Sequence, residues 1–570
     1  MGPAVDNQAS AAVFVVLRRM RTPLIVLIVI FTFSVIGLTF ITGESPDGPW
    51  HMSFFDSFYF MSYTATTIGF GEIPQAFNDA QRMWVTLSIY LTVVGWAYAI
   101  GTLLSLLQDP NFKHAIAVQR FRRRVLRLRE PFWLMAGHGQ TGEVLGQRLD
   151  DLGRRFVVLD LVPERVAVLD LGSYRADVPA LAADARNPEV LTLAGLSHPS
   201  CEGVLALTDD DEANLAVTMA ASVLRPDLPV IARSVTPSIA HRMAAFGSPT
   251  IINPFDRFGD HFRIELRAPA AEQLAHWLTS APGEPLPRRH QALDRGHWIV
   301  CGYGRFGTEL TRDLRADGLE VAVVDANPLV DDDAIFRGDG TERATLEAVG
   351  VGDAVGFVAG TDNDITNLSL ISAARRARPD IFIVARQNLP MNAQLFEAMD
   401  VDLLMVPSRV VAQEALAHIG TPLLWQFLEE VPARSEEWAA ELIRRIVQRS
   451  GEGSPELWVT HIDAADAPAV ARRLTTVPVL LGDLLRDPMD RDETVAALAL
   501  MVVRDGTAAV TPDDDFGLAL GDSVLLAGQS SARRDMESTL LVDASASYVL
   551  TGEQEASSWI WRRLQSARGG

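Results

Sequence analysis

Thr66-Thr67-Ile68-Gly69-Phe70-Gly71-Glu72-Ile73-Pro74 lies between two uncharged apolar stretches, residues 23–42 and 83–107. Glycine reaches backbone angles that a side chain forbids. A Gly-aromatic-Gly strand can therefore turn successive carbonyl oxygens toward one axis. A ring of such oxygens stands in for the water shell of a dehydrated cation. Thr67 would add its hydroxyl below the carbonyls, and four copies of the strand would close the ring. Non-helical backbone at membrane depth is tolerated only where protein surrounds it, so the flanks must supply that frame.

They have the right dimensions. At 1.5 Å per residue, the 20 residues of 23–42 span about the 30 Å hydrocarbon core of a bilayer. The stretch 83–107 is longer and can tilt or extend past the bilayer. Residues 53–66 are apolar and aromatic, too short to span, and run straight into Thr67. They read as a re-entrant pore helix whose C-terminal dipole end favours a cation. Gly95 and Gly101 in the second span are candidate hinges for a gate. Ordinary close packing of helices accounts for them equally well.

Charge sets the orientation. Arg18, Arg19 and Arg21 precede the first span, and Arg120, Arg122, Arg123, Arg124, Arg127 and Arg129 follow the second. Residues 43–80 hold no Lys or Arg but carry Glu44, Asp47, Asp56, Glu72 and Asp79. The positive-inside rule then places both termini in the cytoplasm of a multi-pass inner-membrane protein. The first apolar run is too long for a signal peptide and precedes no small-residue cleavage site.

Thr67, Ile68, Gly69, Phe70 and Gly71 resemble the selectivity filter of potassium channels, commonly written TVGYG. The resemblance implies K⁺ at the carbonyls as the permeant ion. The sequence departs from that pattern at Ile68, Phe70 and Glu72. Phe70 lacks a hydroxyl that could tie the filter to the helix behind it.

Apolar content is concentrated in the first 110 of the 570 residues, so most of the chain reads as soluble, and the net charge of −22 argues against a nucleic-acid partner. Cys201 and Cys301 fall at strand or strand-end positions, which argues against a disulfide framework or a thiolate metal site. Gly137-His138-Gly139-Gln140-Thr141-Gly142 recurs as Gly302-Tyr303-Gly304-Arg305-Phe306-Gly307. Each follows an apolar strand and opens a helical stretch. A second strand then ends in an acid, Asp160 or Asp325, at the same offset of 165 residues. Thr208 through Asn214 matches Thr361 through Asn367, and Arg233 matches Arg386, at an offset of 153. Two copies of one α/β unit therefore lie in tandem, each a Rossmann-like, doubly wound parallel sheet.

A Gly-rich turn between strand and helix lets backbone approach a phosphate, and the helix N-terminus offers free N–H groups. Asp160 and Asp325 stand where a carboxylate accepts hydrogen bonds from a ribose diol. A 2′-phosphate would meet negative charge there, so NAD or an ADP/ATP-type nucleotide fits better than NADP. The bland alternative is that the glycines serve the fold alone.

The two units resemble RCK domains, the regulators of K⁺ conductance also found in Trk uptake regulators, over about residues 132–541. The resemblance rests on the Gly-rich turns, Asp160 and Asp325, Ala183-Asp184-Ala185, Gly338-Asp339-Gly340 and the Thr-Asp…Asn segments. It implies that Asp184, Asp339, Thr208 and Thr361 line the nucleotide pocket. It also implies a homotetramer whose eight units form one gating ring. The expected plan is a two-span pore domain (1–110), a linker (111–131), a first RCK domain (132–296), a second Rossmann-like lobe with crossover helices (297–452), a small C-terminal α+β lobe (453–545) and a tail (546–570). The first copy lacks such a lobe and is followed by a crossover helix over residues 262–279.

Some family members respond to divalent cations, so Ca²⁺ is a candidate ligand. Acid clusters at 209–212, 331–333 and 513–515 lack EF-hand spacing and read better as solvated loops. His138 fits packing against a nucleotide better than acid–base chemistry. No nucleophile–base pair or substrate domain is visible. The expected function is a potassium-selective channel gated by an intracellular nucleotide, not an enzyme. A membrane-anchored NAD-dependent oxidoreductase and a non-conducting nucleotide sensor are the alternatives.

Overall fold

The computed structural model describes residues 6–45, 48–289, 296–328 and 334–552. The chain divides into two compact units, Met1–Arg129 and Glu130–Gly570.

In the first unit, helices Asp6–Phe40 and Asp79–Gln108 each contain a segment long and apolar enough to cross a membrane. Most of that apolar surface is exposed in the single chain, as expected where lipid or further subunits cover it. A hairpin of strands β1 (Thr42–Ser45) and β2 (Gly48–His51) leads into the helix Phe54–Ala65. Ser53 caps this helix by accepting the Asp56 N–H at 3.1 Å. With 12 residues it is about 18 Å long, too short to span. It packs through Phe60 and Met61 into a core with Val35, Leu38, Met52 and Phe77. Asn78 caps the next helix and ties it to the hairpin through the Thr42 carbonyl at 2.9 Å. The Asp79–Gln108 helix continues through both candidate hinges. Gly95 is buried, and a Cβ there would meet Leu27 and Ile30 of the first helix at 3.1 and 3.0 Å. Gly101 faces open space. A separate helix, Pro110–Val125, begins after Asp109.

The second unit contains two six-stranded sheets. Strands β3 (Phe132–Ala136), β4 (Arg155–Asp160), β5 (Ala180–Ala182), β6 (Cys201–Ala206), β7 (Val230–Arg233) and β8 (Thr250–Ile252) form the first, in the order β5-β4-β3-β6-β7-β8. Strands β9 (His297–Cys301), β10 (Glu320–Asp325), β11 (Ile335–Arg337), β12 (Ala354–Ala359), β13 (Phe382–Arg386) and β14 (Leu403–Met405) form the second, in the order β11-β10-β9-β12-β13-β14. All pairings in both sheets are parallel. Counted from its own first strand, each sheet reads 3-2-1-4-5-6, the doubly wound order. The central strands are continuous runs of buried residues because helices cover both faces. The length difference between the copies falls mainly between β4 and β5, where the first copy carries the helix Pro163–Asp170.

The crossover after β8 is two helices, Pro254–Arg267 and Pro269–Thr279, rather than one helix over 262–279. Pro269 offers no N–H and forces the residue before it out of the helical region; Ala268 sits at φ −144°, ψ 72°. Each copy lends its first crossover helix to the other. Phe255, Phe258 and Phe262 fill the second copy's core against Phe306, Leu310 and Leu314. In return Val411, Ala412 and Ala415, from the helix Pro407–Gly420, fill the first copy's core against Leu145 and Leu149.

Strands β15 (Glu456–His461), β16 (Ala497–Arg504), β17 (Thr507–Val510) and β18 (Ser523–Gly528) form an antiparallel sheet in the order β15-β18-β16-β17. One face packs on helices Pro269–Thr279, Pro422–Glu430 and Glu436–Ser450, and so touches the crossover segments of both copies. The other face is covered by Pro468–Leu474, Ser530–Leu541 and Asp543–Thr551. Among the described residues there is one such four-stranded sheet. Cys201 and Cys301 are buried and unpaired. Asp331–Asp333 and the tail tryptophans Trp559 and Trp561 lie outside the described residues.

Candidate functional site

The segment after the short helix alternates in handedness. Thr67, Gly69 and Gly71 have φ of +64°, +67° and +100°. Carbonyls alternate in direction along an ordinary strand; reversing the sign of φ at every second residue is what can bring them to one side. The left-handed region is open to glycine and uncommon for threonine. Two bonds start the strand on the helix end. Thr67 N–H donates to the Thr64 carbonyl at 3.1 Å, and Ile68 N–H to that of Tyr63 at 2.9 Å. A Cβ on Gly69 or Gly71 would meet nothing within 4 Å, so backbone angle rather than crowding selects glycine at both. Ile68 and Phe70 are exposed in the single chain. The Glu72 carboxylate accepts Arg82 Nε at 2.9 Å, Arg82 Nη2 at 3.1 Å and the Phe77 N–H at 2.9 Å. Arg82 stands just beyond the segment that reads as purely acidic, and it offsets one of those acids.

The two Gly-rich turns are near copies. Gly137 and Gly302 have φ of +96° and +97°, and a Cβ on either would come within 3.0 Å of Thr208 or Thr361. A Cβ on Gly142 or Gly307 would collide with the carbonyl of Gly137 or Gly302. Helices Gln140–Asp151 and Arg305–Ala316 start at Gly139 and Gly304 without a side-chain cap, leaving their first N–H groups suited to an anion. Gln140 and Thr141, and Arg305 and Phe306, form the first turns of these helices. Phe306 is fully buried and belongs to the core.

Asp160 Oδ2 accepts the His138 N–H at 2.7 Å, and Oδ1 accepts that of Val162 at 2.8 Å. Asp325 does the same with Tyr303 at 2.6 Å and Asn327 at 2.7 Å. Both acids thus brace the turn, with lone pairs to spare for a further donor. They differ in access: Asp160 is 4% exposed, whereas Asp325 is half-buried. Thr208 and Thr361 each donate an N–H and a hydroxyl to Asn214 and Asn367, whose amides reach the carbonyls of Arg233 and Arg386. The Thr-Asp…Asn segment is thereby a clasp between neighbouring strand ends. Asp184 pairs with Arg186, whose guanidinium holds the carboxyl below its usual range. Asp339 accepts from Thr341 at 2.8 Å. His138 Nε2 lies 2.8 Å from the Tyr174 hydroxyl, and burial lowers the His138 pKa, which keeps the ring neutral.

Sequence reasoning missed two kinds of residue. Arg165 lies 3.5 Å from Asp160 and 3.4 Å from where a Gly139 Cβ would stand, so it covers the first turn with positive charge. Among the described residues its helix occurs in the first copy alone, so the repeat gave no second instance to flag it. Arg386 lies over the Phe255 ring at 5.0 Å, with its Nε buried and unpartnered. Burial, with Arg305 and Arg233 nearby, outweighs the opposing Asp362 and Asp364 and holds it down at about 10. The alignment of Arg233 with Arg386 was the signal for this pair.

The acid cluster at 209–212 is spoken for. Asp209 pairs with Arg233, Asp210 caps a helix, Asp211 accepts the Val235 N–H, and Glu212 pairs with Arg242. Among the described residues, no group of three His, Cys, Asp or Glu is arranged to hold a metal ion.

Residues 25–109 match the ion-channel family, and residues 133–254 and 298–407 each match the TrkA-N domain. The chain carries an ion-channel domain followed by two TrkA-N domains. It is 22% identical to Potassium channel protein 1 of Methanocaldococcus jannaschii over 203 residues, which is 35% of this chain and 59% of the relative. The TrkA homologue of the Trk potassium uptake system in Methanothermobacter thermautotrophicus is 34% identical over 122 residues, 20% of this chain and 56% of that one. An uncharacterized protein of Methanothermus fervidus is 25% identical across 40% of this chain and 34% of its own length. The chain thus spans between a third and three fifths of these relatives. Among solved structures, the GsuK channel bound to NAD aligns over 93% of this chain and 99% of its own at 16% identity, with a TM-score of 0.43. The ion-channel domain and its two candidate spans make this a membrane protein. Each TrkA-N match covers the strands of one parallel sheet from its first to its last, apart from the opening residue of β3 and of β9.

Proposed function

We propose that the chain is the subunit of a potassium-selective channel gated by a nucleotide at its TrkA-N domains. The observation that carries this is the alternating left-handed backbone of Thr67, Gly69 and Gly71, hung on a helix too short to span a bilayer. A ring of carbonyls calls for such a segment. The match to the ion-channel family and the likeness to a potassium channel protein support the ion.

Four subunits close the carbonyl ring, and their eight TrkA-N domains form one cytoplasmic assembly in the manner of RCK gating rings. Both termini lie in the cytoplasm, following the arginines that flank the spans. The ligand is NAD or an ADP/ATP-type nucleotide. The Gly-rich turns, Asp160 and Asp325 support this, as does Arg165 beside the first turn. Ca²⁺ is a secondary candidate with no described carboxylate cluster behind it. The protein moves an ion and performs no bond chemistry.

The test is K⁺ flux into vesicles holding the purified protein, with and without NAD, ADP or ATP. Flux that favours K⁺ over Na⁺ and changes with nucleotide is expected. Equal K⁺ and Na⁺ flux, or none under any condition, overturns the reading.

A further inference from the structure

Tyr63 occupies the last turn of the Phe54–Ala65 helix and is 4% exposed. Its hydroxyl donates to the Gly71 carbonyl at 2.6 Å, the short end of the range for such bonds. Three rings fix its own ring edge-on: Tyr59 at 5.4 Å, Phe60 at 5.2 Å and Phe70 at 5.3 Å. The donor therefore has little freedom. Gly71, at φ +100°, is the outermost of the five filter residues.

The direction of this bond matters. Tyr63 belongs to the helix behind this segment, and the Phe70 ring packs against its ring, so Tyr63 stands on the face to which Phe70 turns its side chain. Carbonyls that line an ion path point away from the side chains of their own segment, so a carbonyl turned onto the Tyr63 hydroxyl is turned away from the ion path of the proposed channel. Phe70 cannot supply a tether from strand to helix, because it has no hydroxyl. The tether runs the other way, from helix to strand. Just beyond it, Glu72 is held by Arg82 and Phe77, so the outer end of the strand is fastened at two successive residues.

We propose that Tyr63 is the positioning residue of the filter. It withdraws the Gly71 carbonyl from the ion path and so fixes the outer end of the strand, leaving the carbonyls of the four preceding residues to face the ion. This rests on the channel reading above. Without the hydroxyl, the outer end is free to reorient, and bound K⁺ must take over the work of keeping the strand in its conducting shape.

Tyr63→Phe removes the hydroxyl and keeps the ring packing. The full-length variant is compared with the unmodified protein in planar bilayers over a series of external K⁺ concentrations. The K⁺ concentration that sustains half-maximal conduction is expected to rise about three- to tenfold, the worth of one net hydrogen bond. The K⁺-to-Na⁺ permeability ratio is expected to fall at low K⁺ and recover at high K⁺. A residue that served only to pack the helix would leave that K⁺ dependence unmoved. Selective conduction by the unmodified protein, with the same K⁺ requirement and ratio in Tyr63→Phe, overturns this inference alone. An unmodified protein that passes no K⁺ overturns the channel reading and this inference together.

Discussion

The carboxylate of Asp160 accepts the backbone N–H of His138 at 2.7 Å, so the end of the second strand holds the Gly-rich turn that follows the first. Asp325 and Tyr303 repeat the bond in the second copy at 2.6 Å. One carboxylate thus shapes the turn and, in the proposed function, also receives a ribose.

Replacing it should cost on both counts. Asp325→Ala is expected to weaken NAD or adenine-nucleotide binding by about 1.5–3 kcal/mol, roughly tenfold to a hundredfold. Asp160→Ala should do the same at the first turn. It should also lower the thermal midpoint more than Asp325→Ala, because Asp160 is the more buried of the two. Calorimetry and thermal scans of the full-length variants in detergent are the measurements. Unchanged affinity in both variants would remove the two turns from the ligand site.

Gly69→Ala tests the backbone directly. At φ +67° an alanine is strained even though nothing crowds its Cβ. Loss of K⁺ flux, or loss of preference over Na⁺, is expected in reconstituted vesicles, with subunit assembly retained. Normal selectivity in the variant would mean that the left-handed angle at Gly69 is dispensable.

Glu414 makes a prediction about pH. It sits where the crossover helices Pro254–Arg267 and Pro407–Gly420 meet, 4% exposed at its side chain and 3.1 Å from Arg257. Burial raises its pKa from the ordinary 4.5 to about 7, against the lowering effect of Arg257 and His261. Between those two values the native state holds a proton that the unfolded chain has released. Stability therefore falls as pH rises through this window, and the loss is complete above about 7. Burial alone would lower the His261 pKa, but Glu272 and Glu414 together outweigh it and raise it, which adds stability on the same acidic side. The thermal midpoint should be higher at pH 6 than at pH 8, and Glu414→Gln should flatten the difference. A pH response identical in the variant would assign it to other groups.

The helix Pro110–Val125 lies on the covalent route from the second span to the first TrkA-N domain. A ligand shifts a gate only through a difference in its affinity for two states, and that difference must reach the pore. A flexible Gly-Ser insertion beside Lys113 is expected to spare filter selectivity and nucleotide affinity while reducing the effect of nucleotide on open probability. Single-channel recording checks this; an undiminished response would place the coupling elsewhere.

Much of the architecture was legible from local pattern. Candidate membrane spans declare themselves by length and lack of charge, and the segment 67–71 by glycines at positions that take left-handed angles. The doubled sheet shows in Gly-rich turns and strand-end acids repeated at one offset. These signals are carried by neighbouring residues and need no knowledge of what packs where. Tertiary structure alone decided which surfaces the crossover helices cover. Phe258 and Val411 read as apolar in either copy's helix, and only long-range packing sends each to the other copy's core. It also decided that the Gly71 carbonyl takes its hydrogen bond from Tyr63, that Arg165 covers the first turn, and that Glu414 is buried. Each of these depends on contacts that a linear pattern does not encode, because a side chain's partner and its loss of water are set by the packing of elements distant in sequence.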